Sequence, residues 1–392
     1  MLPLRLTYDS YGGKDVVFDF MFQHGLLRKT CPRCQCEGKI EYVSNMEFPR
    51  LVCVCGYRQS CKNGTVLGEH NVGNIPLFFF VIKCFVQRIA TKSIVELSGA
   101  HEETVHKYLN IIRTVLCSRF EQQVRNPNFM FGGEGTIVEI DEAMVCKRKY
   151  DRGRPEKKEI WVVGITEVPD SSRTVNDPAL LQALMKRESD RRRYAEQRAA
   201  GRKRKTAKQH VLPMSVFHPT RRQFDVIDGP APWFDETATD VPESDDARRR
   251  EEEIRLLFSQ SRKDQPKRTC FFVVEKRDTP TLMKIITEFV KPGSTIHTDE
   301  WAGYSRLSSY GYVHKTICHA RRFSMFEFDN NNVARITTNH IERMWLELRK
   351  TVKSMRLDQF EKFLNLEAYR LQYLYGNFAT NFTRVVDDLS GV

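Results

Sequence analysis

The chain has 392 residues, enough for two or three domains with proper cores. Lys and Arg number 62 against 50 Asp and Glu; the resulting net charge of +12 favours a polyanionic partner, most often nucleic acid, over an anionic membrane surface. The start Met1-Leu-Pro-Leu-Arg-Leu6 lacks the long apolar region of a secretory signal, and the longest apolar run, residues 75–86, is broken by Pro76 and Lys83 and too short to span a bilayer. A soluble intracellular protein with no membrane partner is expected.

Residues 1–30 form a mixed N-terminal segment with a possible helix over 16–27. Six of the 11 cysteines then crowd between residues 31 and 61, and in an intracellular chain they read as thiols and metal ligands rather than disulfides. Cys31-Pro-Arg-Cys34 and Cys53-Val-Cys55 flank a strand-like stretch and a turn at Glu47-Phe-Pro49. Thiolate pairs on the turns of facing hairpins can close a tetrahedral site, so residues 31–66 are expected to be a zinc ribbon. Such a unit has almost no core of its own, and one structural Zn²⁺ would supply its folding energy. Cys31, Cys34, Cys53 and Cys55 are the expected ligands; the second pair is C-x-C where most ribbons have C-x-x-C, and Cys36 or Cys61 could substitute. Cys84, Cys117, Cys146, Cys270 and Cys318 stand singly in apolar surroundings and are expected in cores.

Residues 74–122 turn helical. An apolar helix over 77–89 precedes a short helix over 92–97, a Ser98-Gly-Ala100 turn and a longer helix from His101. Val105, Tyr108, Leu109 and Ile112 share one face of the last, with Lys107 and Arg113 off it. Short helix, glycine turn and longer helix resemble a helix-turn-helix DNA-binding domain, a pattern that non-binding helical hairpins share.

β-branched runs follow at 136–141, 159–166 and 269–274, the first two joined by a basic loop over 147–158. Between the second and third lies a compositionally distinct insertion, residues 170–265, expected to be partly helical and partly disordered. Residues 186–208 hold 11 Lys/Arg against three Asp/Glu, which suits a solvated helix, a phosphate-tracking arm or a nuclear address; residues 235–253 are acidic. A helix over 279–289 starts with Pro280 and stops before Pro292-Gly293. A strand then rises to Asp299, followed by an expected helix over 301–308 and a short strand over 313–318.

Two strands therefore end in aspartates, Asp141 and Asp299, and carboxylate oxygens at strand ends are what hard divalent cations require. A last helix, 337–350, carries a core stripe of Ile341, Trp345, Leu348 and Val352. Asn339, Glu342 and Arg349 lie on an edge about 100° round from it, which can face the sheet's acids. Glu142 and Glu300 point to the opposite side if their strands continue. Three antiparallel strands followed by βαβα is the element order of a ribonuclease H-like mixed-sheet domain, here over 134–169 and 266–376. The whole reads as a multidomain α+β and α/β chain.

Ile137-Val-Glu-Ile-Asp-Glu142, Thr298-Asp-Glu-Trp-Ala-Gly-Tyr304, Tyr312-Val-His314, His319 and Thr338-Asn-His-Ile-Glu-Arg-Met-Trp345 resemble the DDE transposase domain of the Merlin superfamily and its bacterial insertion-sequence relatives. The ribbon ending at Gly64-Thr65 and the helix-turn-helix stand in the same order as in that family; the likeness covers roughly residues 31–168 and 268–375. It implies a ribonuclease H-like catalytic domain in which Asp141, Asp299 and Glu342 hold two Mg²⁺ or Mn²⁺ ions. Some relatives use an asparagine as third member, the place of Asn339 here. The resemblance further implies hydrolysis at transposon ends and strand transfer of the 3′-OH into target DNA. Partners would be double-stranded DNA, both terminal inverted repeats and target, and further copies of the chain, since a homo-oligomer on paired ends is expected. Lys107, Arg113, Arg349 and Lys350 would contact DNA, and His319 is either a phosphate-positioning group or a core histidine. The location would be the nucleus in a eukaryotic host, otherwise the cytoplasm or nucleoid. A domesticated DNA-binding protein without catalysis is the alternative, and a zinc-dependent nuclease a third reading.

Overall fold

The computed structural model of the chain describes residues 6–43, 46–133, 135–146, 160–168, 173–209, 268–318, 324–351 and 357–391. His319, Val352, the basic loop and the acidic run lie outside the described residues, as do the side chains of Cys146 and Lys350.

After helix α1 (Lys14–Gln23), three short strands, β1 (Lys39–Glu41), β2 (Arg50–Val52) and β3 (Arg58–Ser60), form an antiparallel meander that carries the cysteine turns. The unit's apolar residues Phe48, Leu51 and Cys61 are buried in the main core rather than in a core of its own. The short helix α2 (Val66–Glu69) then leads to α3 (Ile75–Val86), which begins where the Asn74 side chain accepts the Leu77 N–H and Pro76 occupies the first turn. The proline that interrupts the apolar run thus opens a buried helix. Helices α4 (Thr91–Ser98) and α5 (Glu102–Val124) follow, separated at Gly99 by a left-handed C-cap.

β4 (Ile137–Cys146) pairs antiparallel with β5 (Ile160–Val168), and β5 with a later strand; between them in sequence come β6 (Arg173–Thr174) and helix α6 (Pro178–Gln209). β7 (Thr269–Val274) is that later strand. Helix α7 (Thr279–Phe289), capped by the Asp278 side chain, crosses to β8 (Thr295–Asp299), and β9 (Val313–Ile317) follows. The five-stranded sheet runs β7-β5-β4-β8-β9, with β4, β8 and β9 mutually parallel.

Four features depart from the sequence expectations. Residues 301–308 form two 3₁₀ turns, Ala302–Tyr304 and Leu307–Tyr310, rather than a helix. The Trp301 N–H is tied back to Asp299 Oδ1 at 3.0 Å, and the Trp301 ring lies so close over Gly303 that a Cβ there would fall 1.9 Å from it. A hairpin of β10 (Ser324–Asp329) and β11 (Asn332–Thr337) precedes the last predicted helix, joined by a two-residue turn with Asn330 at φ 50°. The start of the insertion is built into the fold, since β6 pairs with β11 and the first turns of α6 lay Leu180, Leu181 and Leu184 against Val175, Phe326, Phe328 and Val333.

The fourth departure follows helix α8 (Asn339–Thr351). Helices α9 (Leu357–Tyr373) and α10 (Phe378–Ser390) fasten the N-terminal helices to the sheet: α9 packs on both α5 and β7, and α10 on α3 and α5. The Cys117 thiol donates to the Lys362 carbonyl at 3.1 Å, and Arg88 pairs with Glu367 at 3.1 Å. One apolar core consequently runs from α1 through α3 and α5 to the sheet. Among the described residues no helix is long and apolar enough to cross a membrane.

Candidate active site

The parallel register of β4 and β8 sets the level of the two aspartates. Ile137 pairs with Thr295, Val138 with Ile296 and Glu139 with His297. Two residues further, each strand reaches its acid, so Asp141 and Asp299 stand side by side on adjacent strands, on the same face. Across the other edge of β4, Asp141 is opposite Gly164 of β5. A Cβ on Gly164 would lie 2.6 Å from Ile341 Cδ1 and 2.8 Å from the Trp345 ring, so this glycine lets α8 lie directly on the sheet beside Asp141.

On α8 the stripe of Ile341, Met344, Trp345 and Leu348 is buried, as the spacing predicts. Asn339 and Glu342 are half-buried at its margin, and Arg349 is exposed. Trp345 Nε1 donates to Asp141 Oδ2 at 2.8 Å. Burial raises the Asp141 carboxyl to about 6, against the lowering effect of the Trp345 and Glu142 N–H donors; the charges of Asp299 and Glu342 push it further up. The structure thus brings Asp299 and Glu342 each within electrostatic reach of Asp141. They are not drawn as tightly as the thiols, whose set is the one cluster among the described residues with every ligand atom within 4.8 Å of the rest.

Sequence reasoning left out the next layer. Glu142 does point to the opposite side, where its fully buried carboxylate lies 3.6 Å from Arg277, whose guanidinium also reaches Asp299 Oδ2 at 4.0 Å. The Arg277 guanidinium stacks on Trp301 at 4.2 Å and on Trp161 at 5.3 Å. Burial pushes Glu142 up to about 7, opposed by Arg277. Behind β8, Thr298 Oγ1 meets His314 Nε2 at 2.8 Å, and burial lowers the pKa of both His314 and His297. Glu139, buried on the same face as Asp141, accepts hydrogen bonds from the first turn of α8. Its place two residues before Asp141 in an alternating strand was the available signal.

The thiols fit a tetrahedral ion. Cys31 and Cys55 sulfurs are 3.5 Å apart and those of Cys34 and Cys53 3.4 Å, close to the roughly 3.8 Å edge that Zn–S bonds of about 2.3 Å imply. Tight turns present them: Gln35 N–H closes on the Cys31 carbonyl, and Gly56 N–H on that of Cys53. Burial raises the Cys31 thiol, but the N–H groups of Cys34 and Arg33 and the neighbouring thiols more than offset it, leaving it at about 6. Neither substitute ligand fits, since Cys36 donates away to the Cys34 carbonyl and Cys61 is in the core.

The predicted DNA contacts are dispersed. Lys107 is exposed on α5, with Nζ 3.2 Å from the Asn71 carbonyl. Arg113 is half-buried on α5, near Cys117 and within electrostatic range of Arg370 of α9. The first turn of α5 carries Glu102 and Glu103, which favour the helix dipole and repel phosphates.

Residues 235–372 match the family model of the ISXO2-like transposase domain. The match begins within the insertion, takes in Asp299, Asn339, Glu342 and Arg349, and does not extend to Asp141. No curated protein and no solved structure matches the chain. The acids of β8 and α8 thus fall in a segment similar to a known transposase domain, and this similarity supports what the sequence motifs imply, a DDE transposase of insertion-sequence type.

Proposed function

We propose that the protein is a cut-and-paste DNA transposase whose catalytic centre is Asp141, Asp299 and Glu342, with Asn339 at its margin. The observation that carries this reading is the alignment of two aspartates at one level of adjacent parallel strands, with the charge of a helix carboxylate reaching the first of them. The sheet order places the third, second, first, fourth and fifth strands side by side, with only the second antiparallel to the other four. That is the arrangement expected of a ribonuclease H-like domain.

Asp141, Asp299 and Glu342 would together hold two Mg²⁺ or Mn²⁺ ions. A set divided between two ions need not be as tight as a cage for one. When bound, such ions lower the pKa of a water and stabilise a leaving 3′ oxygen, the chemistry of in-line phosphodiester hydrolysis and of strand transfer. The chain's own part is to hold the carboxylates in place and to grip the DNA backbone. Trp345 orients Asp141, and Arg277 with the Trp301 N–H orients Asp299. Exposed Arg349, with Lys350 next to it, stands on the site's helix where a phosphate would pass. The ribbon holding Zn²⁺ at Cys31, Cys34, Cys53 and Cys55 and the α4–α5 helix pair with Lys107 would read the terminal repeats, on paired ends held by a homo-oligomer.

The test is incubation of the protein with duplexes carrying the inverted repeats that flank its gene, in Mg²⁺, with products read on a sequencing gel. Asp299→Asn should lower cleavage by about two orders of magnitude or more, because a bound metal is worth several kcal/mol to the transition state, while end binding persists. Cleavage that survives in this variant would show that the site is elsewhere; end binding without any cleavage in the wild type would favour a DNA-binding protein that has lost the reaction.

A further inference from the structure

We propose that Glu139 and His340 are positioning residues that lock the third-acid helix onto the first-acid strand, so that Glu342 is held over Asp141. The inference rests on the metal-site reading above and concerns residues that the reaction itself does not use.

The Glu139 side chain is completely buried, yet both its oxygens are occupied. Oε2 accepts the N–H groups of His340 at 2.9 Å and Ile341 at 3.1 Å, and Oε1 meets His340 Nδ1 at 2.5 Å. Facing a carboxylate, that ring nitrogen is the one that carries the proton. A carboxylate from another element thus caps the start of α8, where the helix dipole is positive and N–H groups lack intrahelical partners. Charge-assisted bonds of this kind are about twice as strong as neutral ones, and three donors on one acid fix its direction.

The cap is one of two tethers. The second, Trp345 Nε1 to Asp141 Oδ2, joins the same strand to the same helix. Along β4 the two acids are two residues apart, roughly 6.6 Å at strand rise. Along α8, from His340 and Ile341 to Trp345, the anchors are four to five residues apart, roughly 6–7.5 Å at helix rise. The spacings match, so the helix lies along the strand pinned at both ends of one short segment. One tether would leave rotation and sliding open; two close both. Glu342 falls between the anchors, on the segment they immobilise.

The cap's contribution can be separated from general stability by measuring Mn²⁺ binding to the full-length protein, from the electron-paramagnetic signal of free Mn²⁺, together with thermal stability and end binding. Glu139→Ala should weaken Mn²⁺ binding by about tenfold or more, the usual loss when a group orienting a metal ligand is removed. End-DNA affinity should fall less than Mn²⁺ affinity, because the ribbon and the α4–α5 pair that would read the repeats are not held by Glu139. Glu139→Gln, which keeps an acceptor oxygen for the two backbone N–H groups, should recover part of the loss. Should Glu139→Ala fail to fold, His340→Ala removes only the side-chain arm, and a severalfold loss of Mn²⁺ affinity is expected there. If stability falls in these variants but Mn²⁺ affinity matches the wild type, the clamp is overturned and Glu139 is merely structural. A wild type whose Mn²⁺ binding is absent, or unaffected by Asp299→Asn, overturns the metal-site reading, and the clamp with it.

Discussion

The chain assembles two sets of candidate metal ligands in opposite ways. The thiols of Cys31, Cys34, Cys53 and Cys55 sit on two turns whose own backbone hydrogen bonds aim them, and local geometry alone brings their sulfurs within 4.8 Å. The carboxylates of Asp141, Asp299 and Glu342 come from two strands and a helix far apart in sequence. Their level is set by strand register, their closeness by Gly164, and the orientation of α8 by Trp345 and Glu139. A locally built site is vulnerable to loss of its ion; one built across the fold is vulnerable to small slips of an element that leave the fold intact.

Metal removal gives the largest expected effect on the first kind of site. Structural zinc contributes about 10–16 kcal/mol of apparent binding energy in small zinc units at neutral pH. Stripping it with a chelator, or making Cys53→Ser, should abolish one bound Zn²⁺ per chain and open the cysteine turns to protease. The sheet's own thermal transition should persist, because Phe48 and Leu51 anchor the base of the meander in the main core. Cysteine turns as protease-resistant without metal as with it would show that the ribbon's order does not come from the ion.

The corresponding break of the second site leaves all ligands in place. Gly164→Ala sets a methyl group 2.6–2.8 Å from Ile341 and the Trp345 ring. Overpacking of this kind costs about 1–3 kcal/mol and is relieved by pushing α8 outward. Thermal melting should fall by several degrees, cleavage should fall more steeply than end binding, and zinc content should be unchanged. A variant that cleaves like the wild type would mean that Glu342 tolerates a displaced helix.

The same contrast explains how much could be read in advance. The thiol set and the bounds of α7 follow from local spacing and capping residues, and the α8 stripe from its period. Asp141 and Asp299 announce themselves as acids closing β-branched runs. The β10–β11 hairpin was also legible, with Asn330-Asn331 between alternating Phe326 and Phe328 on one side and Val333 on the other, but its strands are short and polar. Arg277 gives no local sign, because its setting comes from Trp161 and Trp301 on other segments. The packing of α9 on both α5 and β7 is equally silent in the sequence, because no periodicity names a helix's partners.

The smallest predicted effect singles out electrostatics from packing at the carboxylate site. The Trp345 ring packs against Phe271 with centroids 5.6 Å apart, while its N–H serves Asp141; Trp345→Phe keeps much of the first and removes the second. Burial already holds the Asp141 carboxyl at about 6, with the Trp345 donor opposing the rise, so losing that donor moves it higher. The sign for folding is that of a raised acid: no penalty below the ordinary carboxylate range, then a growing one as pH climbs through about 6 and the buried group must ionise. Cation uptake needs the ionised form and runs the other way, so Mn²⁺ binding should weaken as pH falls through this range. In Trp345→Phe the midpoint should move up by roughly one unit, since a hydrogen bond to a charged group is worth about 1.5 kcal/mol. Mn²⁺ titrations from about pH 5 to 8 would measure it. Zinc uptake at the thiols should be the same in both proteins, because Trp345 packs against Phe271 and Asp141 of the sheet. A midpoint that stays put would show that Trp345 serves the site through packing alone.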